Sequence, residues 1–133
     1  MNDKRAVGRT GENSAYDYLI GKGYNVLYRN FRYGKYGEID LIAQKAGTVC
    51  FIEVKSRSSD KFGTPAEAVG RAKQMKILNV ANHFLSIFDL KEQKVRFDIL
   101  EIYYKEAEHS GNSIQDSDRA IKEIRHIENA FGA

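Results

Sequence analysis

Gly37-Glu38-Ile39-Asp40-Leu41-Ile42-Ala43-Gln44 and Thr48-Val49-Cys50-Phe51-Ile52-Glu53-Val54-Lys55-Ser56, separated by Lys45-Ala46-Gly47, decide the fold. Both runs are β-prone, and the glycine-containing break between them reads as a hairpin turn. A two-residue loop at Ala46-Gly47 pairs Lys45 with Thr48, and a four-residue loop from Lys45 to Thr48 keeps the same register. Either loop sets Asp40 opposite Glu53 and Glu38 opposite Lys55. A loop with an odd number of residues would slip the register by one and send Asp40 and Glu53 to opposite faces.

In that register two carboxylates and a lysine lie inside strands that are otherwise apolar. Side chains alternate along a strand, so Glu53 and Lys55 share a face while Val54 points away. Like charges directly opposed across a strand pair are destabilising, and burial deepens the cost because each carboxylate loses its water. A cation between the acids, the nearby Lys55, or a proton on one acid can compensate. Two carboxylates for a divalent ion, with an ammonium beside them, are what a metal-dependent nuclease needs. The competing reading is a plain ion pair of Glu53 with Lys55 or with an arginine at the sheet edge.

The hairpin is apolar on both faces. Ile42, Val49 and Phe51 fall on the Asp40/Glu53 face, and Ile39, Leu41, Cys50, Ile52 and Val54 on the other. Strands apolar on both sides need cover on both sides, so the fold class is α/β, a central mixed sheet flanked by helices. Residues 9–22 read as a helix with Ala15, Tyr16, Tyr18 and Leu19 inward and Gly23 as its stop. Asn25 to Phe31 reads as a strand. Thr64-Pro65-Ala66-Glu67 forms a capping box that starts a helix running to about Phe88, with Ala68, Ala72, Met75, Leu78, Ala81 and Leu85 inward. Val95 to Tyr104 reads as the next strand, giving an α-β-β-β-α-β core. Residues 105–118 are polar and read as a loop, and Ile121, Ile124, Ile127 and Phe131 space out a short docking helix over 119–131.

The whole chain, 1–133, reads as a single domain. Its 42% hydrophobic and 29% charged residues suit a globular protein, and its net charge of +3 permits nucleic-acid binding without arguing for it. Its one cysteine, Cys50, lies in a predicted core strand and excludes an internal disulfide. No apolar run approaches a membrane span and the first residues lack a signal peptide's apolar stretch, so the expected compartment is the cytoplasm. His83, His109 and His126 share no ligand spacing, which with one cysteine excludes a zinc site.

Between Arg29, Arg32, Lys35, Arg57 and Lys61 stand Tyr28, Phe31, Tyr33 and Tyr36. Phosphate contacts by the cations and stacking by the aromatics are the functional reading, and a solubilising charged loop is the plain one. Glu38 falls on the Asp40 face, where pairing with Lys55 is favoured over a ligand role. Asp98, between Phe97 and Ile99, reads as a hydrogen-bond acceptor in a strand.

Gly8-x-x-Gly11-Glu12, Arg29-Asn30-Phe31-Arg32, Gly37-Glu38-Ile39-Asp40, Phe51-Ile52-Glu53-Val54-Lys55-Ser56-Arg57, Phe62-Gly63-Thr64-Pro65-Ala66-Glu67-Ala68-Val69, Lys73-Gln74, Arg96-Phe97-Asp98 and Asn129-Ala130-Phe131 recur in this order. With them the chain resembles the YraN-like family of small bacterial proteins over nearly its whole length. That family resembles restriction-endonuclease-like nucleases, among them the archaeal Holliday junction resolvases. The resemblance implies a restriction-endonuclease-like fold and assigns Asp40, Glu53, Lys55 and Glu12 the catalytic positions. It implies Mg2+ (with Mn2+ as a substitute) held by Asp40, Glu53, Glu12 and the Val54 carbonyl, with Lys55 orienting or deprotonating water. Arg29, Arg32, Arg57, Lys73 and Gln74 become candidates for contacts with nucleic acid, although for Lys73 a solvated helix face is the simpler reading.

The expected reaction is endonucleolytic hydrolysis of a DNA phosphodiester, on branched or damaged substrates. A homodimer would double the basic surface. A binding module that keeps the fold without cleaving, or an accessory scaffold for protein partners, is the alternative.

Overall fold

The computed structural model describes residues 4–57, 69–105 and 121–132, with side chains from Gly11 onward in the first helix. Helix α1 (Lys4–Gly21) buries Ala15 and Leu19 completely. It ends in a Schellman motif: Tyr24 N–H donates to Leu19 O at 3.0 Å, Gly23 N–H donates to Ile20 O at 3.1 Å, and Gly23 takes φ +88°. Strands β1 (Asn25–Tyr33), β2 (Gly37–Lys45) and β3 (Thr48–Arg57) follow as an antiparallel meander. Helix α2 (Arg71–Ile87) then crosses over, and β4 (Lys94–Tyr104) lies parallel to β3. Strand β5 (Ile121–Phe131) pairs antiparallel with β4, so the sheet order is β1-β2-β3-β4-β5. The architecture is α/β, a central mixed sheet with a helix on each side, in the α-β-β-β-α-β order expected.

Each sheet face has its own core. Under α1 lie Leu41, Ala43, Cys50, Ile52, Leu100 and Ile102, and under α2 lie Phe31, Ile42, Val49, Phe51, Phe97 and Ile99. Ile39 belongs to the α2 side rather than the α1 side expected from strict alternation. Alternation fails next to Asp40: the β1–β2 pairing gives Arg29↔Leu41 and resumes at Phe31↔Ile39, and Asn30 between them has φ +54°.

Two further expectations are corrected. Helix α2 begins at Arg71 rather than Thr64, because Gly70 is extended at ψ 161°; the capping box itself lies outside the described residues. Its buried stripe is Ile77, Val80, Ala81, Phe84 and Leu85, while Met75 is half exposed. That stripe keeps helical spacing and buries Phe84, whose ring contacts Phe31, Phe51 and Phe88.

The C-terminal helix is instead β5. Its Ile124 faces Ile102 and its Ile127 faces Ile99. The three-residue isoleucine spacing that mimics a helix sends these residues to opposite faces of a strand, one into each core. A helix there would leave the β4 edge amides unpaired. Residues 106–120, most of the predicted loop, lie outside the described residues.

Candidate metal centre at the end of the hairpin

The hairpin register is the one its turn demands. Ala46 and Gly47 have φ +50° and +78°, the two positive values of a type I′ loop, and Lys45 pairs with Thr48. The β2–β3 ladder runs from that pair to Leu41↔Ile52 and stops there. Beyond it, the Asp40 side chain takes over the role of a backbone partner. Its Oδ2 accepts the Val54 N–H at 2.8 Å, fixing the carboxylate beside β3.

Glu12 on α1 and Glu38 on β2 meet Asp40, with one oxygen from each of the three within 4.8 Å of the others. Two residues of β1 direct Glu12 to this place. Asn30, turned out by its positive φ, gives Glu12 a side-chain hydrogen bond. Its neighbour Arg29 donates from Nη2 to Asn13 Oδ1 and lies 4.7 Å over the Tyr16 ring, tying β1 to α1. Burial is the main cause that raises the Glu12 carboxyl, and the Asp40 and Glu38 charges add to it against the Asn30 hydrogen bond.

At Gly11 α1 comes close to the end of β3. A β-carbon there would lie 2.6 Å from Ser56 Oγ and 3.6 Å from Tyr104 Oη. A larger residue there would require the exposed Ser56 hydroxyl to rotate away.

Glu53 is buried, and its Oε2 lies 3.0 Å from Lys73 Nζ on the first turn of α2. The partners differ in exposure: 4% for the Glu53 side chain and 47% for that of Lys73. Burial, then repulsion from Asp40, pushes Glu53 from 4.5 to about 7 despite the lysine. Burial likewise raises Asp40, against the Val54 amide and the Lys73 charge. Lys55 is lowered by burial and by Lys73, whose amine is within hydrogen-bonding reach. Burial works against the Lys73 charge, but Glu53 outweighs it and holds that ammonium above its ordinary range. The site therefore has two parts linked through Asp40: the cluster of Glu12, Glu38 and Asp40, and Glu53 with Lys73 and Lys55.

The remaining predicted residues are placed as follows. Arg32 is exposed, and its Nε donates to Gly34 O at 3.4 Å. Arg57 Nε lies 2.5 Å from Glu101 Oε2, with the arginine side chain only 10% exposed. Gln74 donates from Nε2 to Val69 O at 2.7 Å, fastening the start of α2 that carries Lys73. Lys61 lies outside the described residues. Asp98 is fully buried and accepts from Arg96 Nε at 2.9 Å, from Asn129 N–H at 2.9 Å, and bonds His126 Nε2 at 2.8 Å. Burial would raise Asp98, but these bonds win and hold it below the usual carboxylate range. It is a fastener between β4 and β5. Cys50 is buried and its thiol is pushed up to about 11 by that burial, as befits a core residue. A cavity of about 550 Å³ between α2 and the β4–β5 end, lined by Leu78, Leu85 and Phe97, includes none of the site's carboxylates.

The sequence of the Uncharacterised protein family UPF0102 matches residues 11–102, a span that holds Glu12, the hairpin and Lys73. A UPF0102 protein of Acetivibrio thermocellus is 42% identical over 130 residues, 98% of this chain and 94% of that protein. The chain belongs to the UPF0102 family. Other members are similar over comparable spans. The Caldanaerobacter subterraneus protein is 40% identical over 97% of both chains, and the Clostridioides difficile protein is 40% identical over 98% of this chain and all of its own length.

In this UPF0102 chain, sequence reasoning undervalued two residues. Glu38 joins Glu12 and Asp40 rather than Lys55; its i, i+2 relation to Asp40 was the visible signal. Lys73 stands on an exposed helix face, as expected, yet also reaches Glu53, and its only signal for that contact was its place early in the helix after β3.

Proposed function

We propose that this protein is a metal-dependent phosphodiester hydrolase whose substrate is DNA. The observation that carries the reading is the pair Asp40 and Glu53, both pushed up by burial, at the end of an otherwise apolar hairpin. Glu12, Glu38 and Asp40 bring three carboxylates together, and Glu53, released from Lys73, and the Val54 carbonyl would complete an all-oxygen set for a hard divalent cation. The all-oxygen donor set fits Mg2+, with Mn2+ as a substitute. When bound, the ion would polarise a phosphoryl oxygen and acidify a coordinated water.

The chain's own residues supply the rest. Lys55, lowered by burial and by Lys73, is set to take a proton from the attacking water. Lys73 opposes the Glu53 charge and stands where a phosphate would arrive. Arg29 and Arg32 would contact phosphates, whereas Arg57 is engaged by Glu101 and Gln74 by the Val69 carbonyl, and each would have to exchange that partner to do so. The Val54 amide fixes Asp40, and Asn30 fixes Glu12.

The Glu53–Lys73 pair also supports a second reading, a nucleic-acid-binding module in which lysine permanently replaces the ion. Calorimetric titration of Mg2+ and Mn2+ into wild-type and Asp40→Asn protein separates the two. A panel of single-stranded, duplex and branched DNA is incubated in parallel. Metal binding and cleavage that both vanish in the variant establish the hydrolase. Absence of metal binding, even with DNA present, rejects it in favour of the module.

A further inference from the structure

The aromatic residues between β1 and β2 are not equivalent. Phe31 is buried in the core under α2, and Tyr28 packs against Phe31, Phe84 and Phe88. Tyr33 instead stacks flat on His83 of α2, with centroids 3.8 Å apart and planes 14° from parallel. Tyr36 lies beside that pair, 5.7 Å from Tyr33 at 31° and 5.9 Å from His83 at 39°, and is 46% exposed. Tyr36 N–H donates to Tyr33 O at 3.0 Å, closing the turn that carries the half-exposed Tyr36 ring.

Its surroundings are cationic. Arg32, Lys35 and Lys76 are exposed, and among the described residues none has a carboxylate within ion-pair distance. Lys73 begins the same helix ten residues before His83, roughly 15 Å away at a rise of about 1.5 Å per residue. A half-exposed tyrosine on an aromatic cluster, with exposed cations on the same turn and on the facing helix, fits a phosphate chain with an unstacked base. A paired duplex offers no free base face to such a ring.

We infer that the exposed Tyr36 ring of the Tyr33–Tyr36–His83 cluster is a base-binding subsite, and that the substrate carries an unpaired base near the bond to be cut. The inference rests on the nuclease reading above and narrows it to single-stranded, flapped or branched nucleic acid.

The chain has no tryptophan, so Tyr36→Trp gives a single reporter. In EDTA, saturating oligothymidylate quenches that tryptophan and a blunt duplex does not. Loss of base–aromatic stacking on alanine substitution predicts about a 5- to 100-fold weaker oligothymidylate complex for Tyr36→Ala. Tyr36→Phe binds as wild type, and duplex affinity stays unchanged in all three. An unquenched reporter on bound oligonucleotide overturns the subsite, as does equal loss on duplex and single strand, or wild-type binding by Tyr36→Ala. Stronger quenching by oligouridylate keeps the subsite and makes RNA the source of the base. Magnesium-dependent cleavage with an unquenched reporter removes this inference alone. Quenching without cleavage in any metal keeps the subsite and removes the hydrolase.

Discussion

Replacing Glu53 with glutamine removes one charge and almost no volume, and its effect on stability has a sign fixed by the site. Burial and Asp40 lift this carboxyl from 4.5 to about 7. A folded-state value above the unfolded one means that the native protein holds the proton more tightly. The stability this confers is fully present below 4.5 and is lost as pH rises through about 7. At roughly 1.36 kcal/mol per tenfold change in proton affinity, the ionised side chain costs the metal-free protein about 3 kcal/mol at pH 9.

Glutamine escapes that cost. Its loss of the charged bond to Lys73 leaves an ammonium on a side chain that is 47% exposed and can be solvated. In EDTA the variant should match wild type near pH 4 and exceed it by up to ~3 kcal/mol at pH 9, measured by urea unfolding followed by circular dichroism. Adding Mg2+ at a hundred times its Kd should stabilise wild type by about 2.7 kcal/mol and the variant hardly at all. A glutamine variant less stable than wild type at pH 9 without metal would refute the reasoning. Glu53 and Lys73 would then be a net stabilising ion pair, and the hairpin would have no unmet need for a cation.

Three other substitutions test separate parts of the site. Gly11→Ala should raise the urea midpoint, by up to about 1 kcal/mol of stability, because the Ser56 hydroxyl can rotate away and alanine is the better helix former. A lower midpoint, through overpacking, would show that the close approach of α1 to β3 cannot relax. Lys55→Ala should keep Mg2+ affinity in calorimetry while slowing single-turnover cleavage by about 10²–10⁴-fold, the usual worth of a general base; full activity would exclude the lysine from the chemistry. Asp98→Asn should cost about 3–5 kcal/mol in unfolding free energy by leaving Arg96 and His126 without their charged partner. It should not change metal affinity, and a change would mean that β4 and β5 communicate with the carboxylates.

What was legible in the sequence follows from how local each determinant is. The hairpin register depends on a two-residue turn and on strand alternation, both written within twenty residues, and Leu41↔Ile52 stands where the turn places it. The fates of α2 and β5 depend on distant partners. Ile121, Ile124 and Ile127 satisfy helical spacing as well as strand spacing, and the free edge of β4 chooses between them. Along α2 the expected Ala81 and Leu85 are buried and Leu78 packs against the core, while Ala72 and Met75 are exposed and Ile77, Val80 and Phe84 fill the stripe instead. The larger ring, meeting Phe31 and Phe51, fixes which side turns inward.

The site divides in the same way. Asp40, Glu53 and Lys55 share one hairpin end and were visible together. Lys73 reaches Glu53 from the first turn of a helix that starts at Arg71, after the extended Gly70. A helix running unbroken from Thr64 would carry a different rotation at residue 73, and nothing in the spacing of β2 and β3 reports that angle. The same reasoning explains Asp40. Where the β2–β3 ladder stops, its carboxylate replaces a carbonyl as the partner of the Val54 amide. The ladder is thereby exchanged for an acid at the one level where α1, β1 and β3 converge. Burying charge at that level is costly in a metal-free chain, and Glu12, next to Gly11 where the helix comes close, adds to the cost. Local stability would favour the opposite choice at each of these positions, which is the pattern expected where a protein is built to hold a cation.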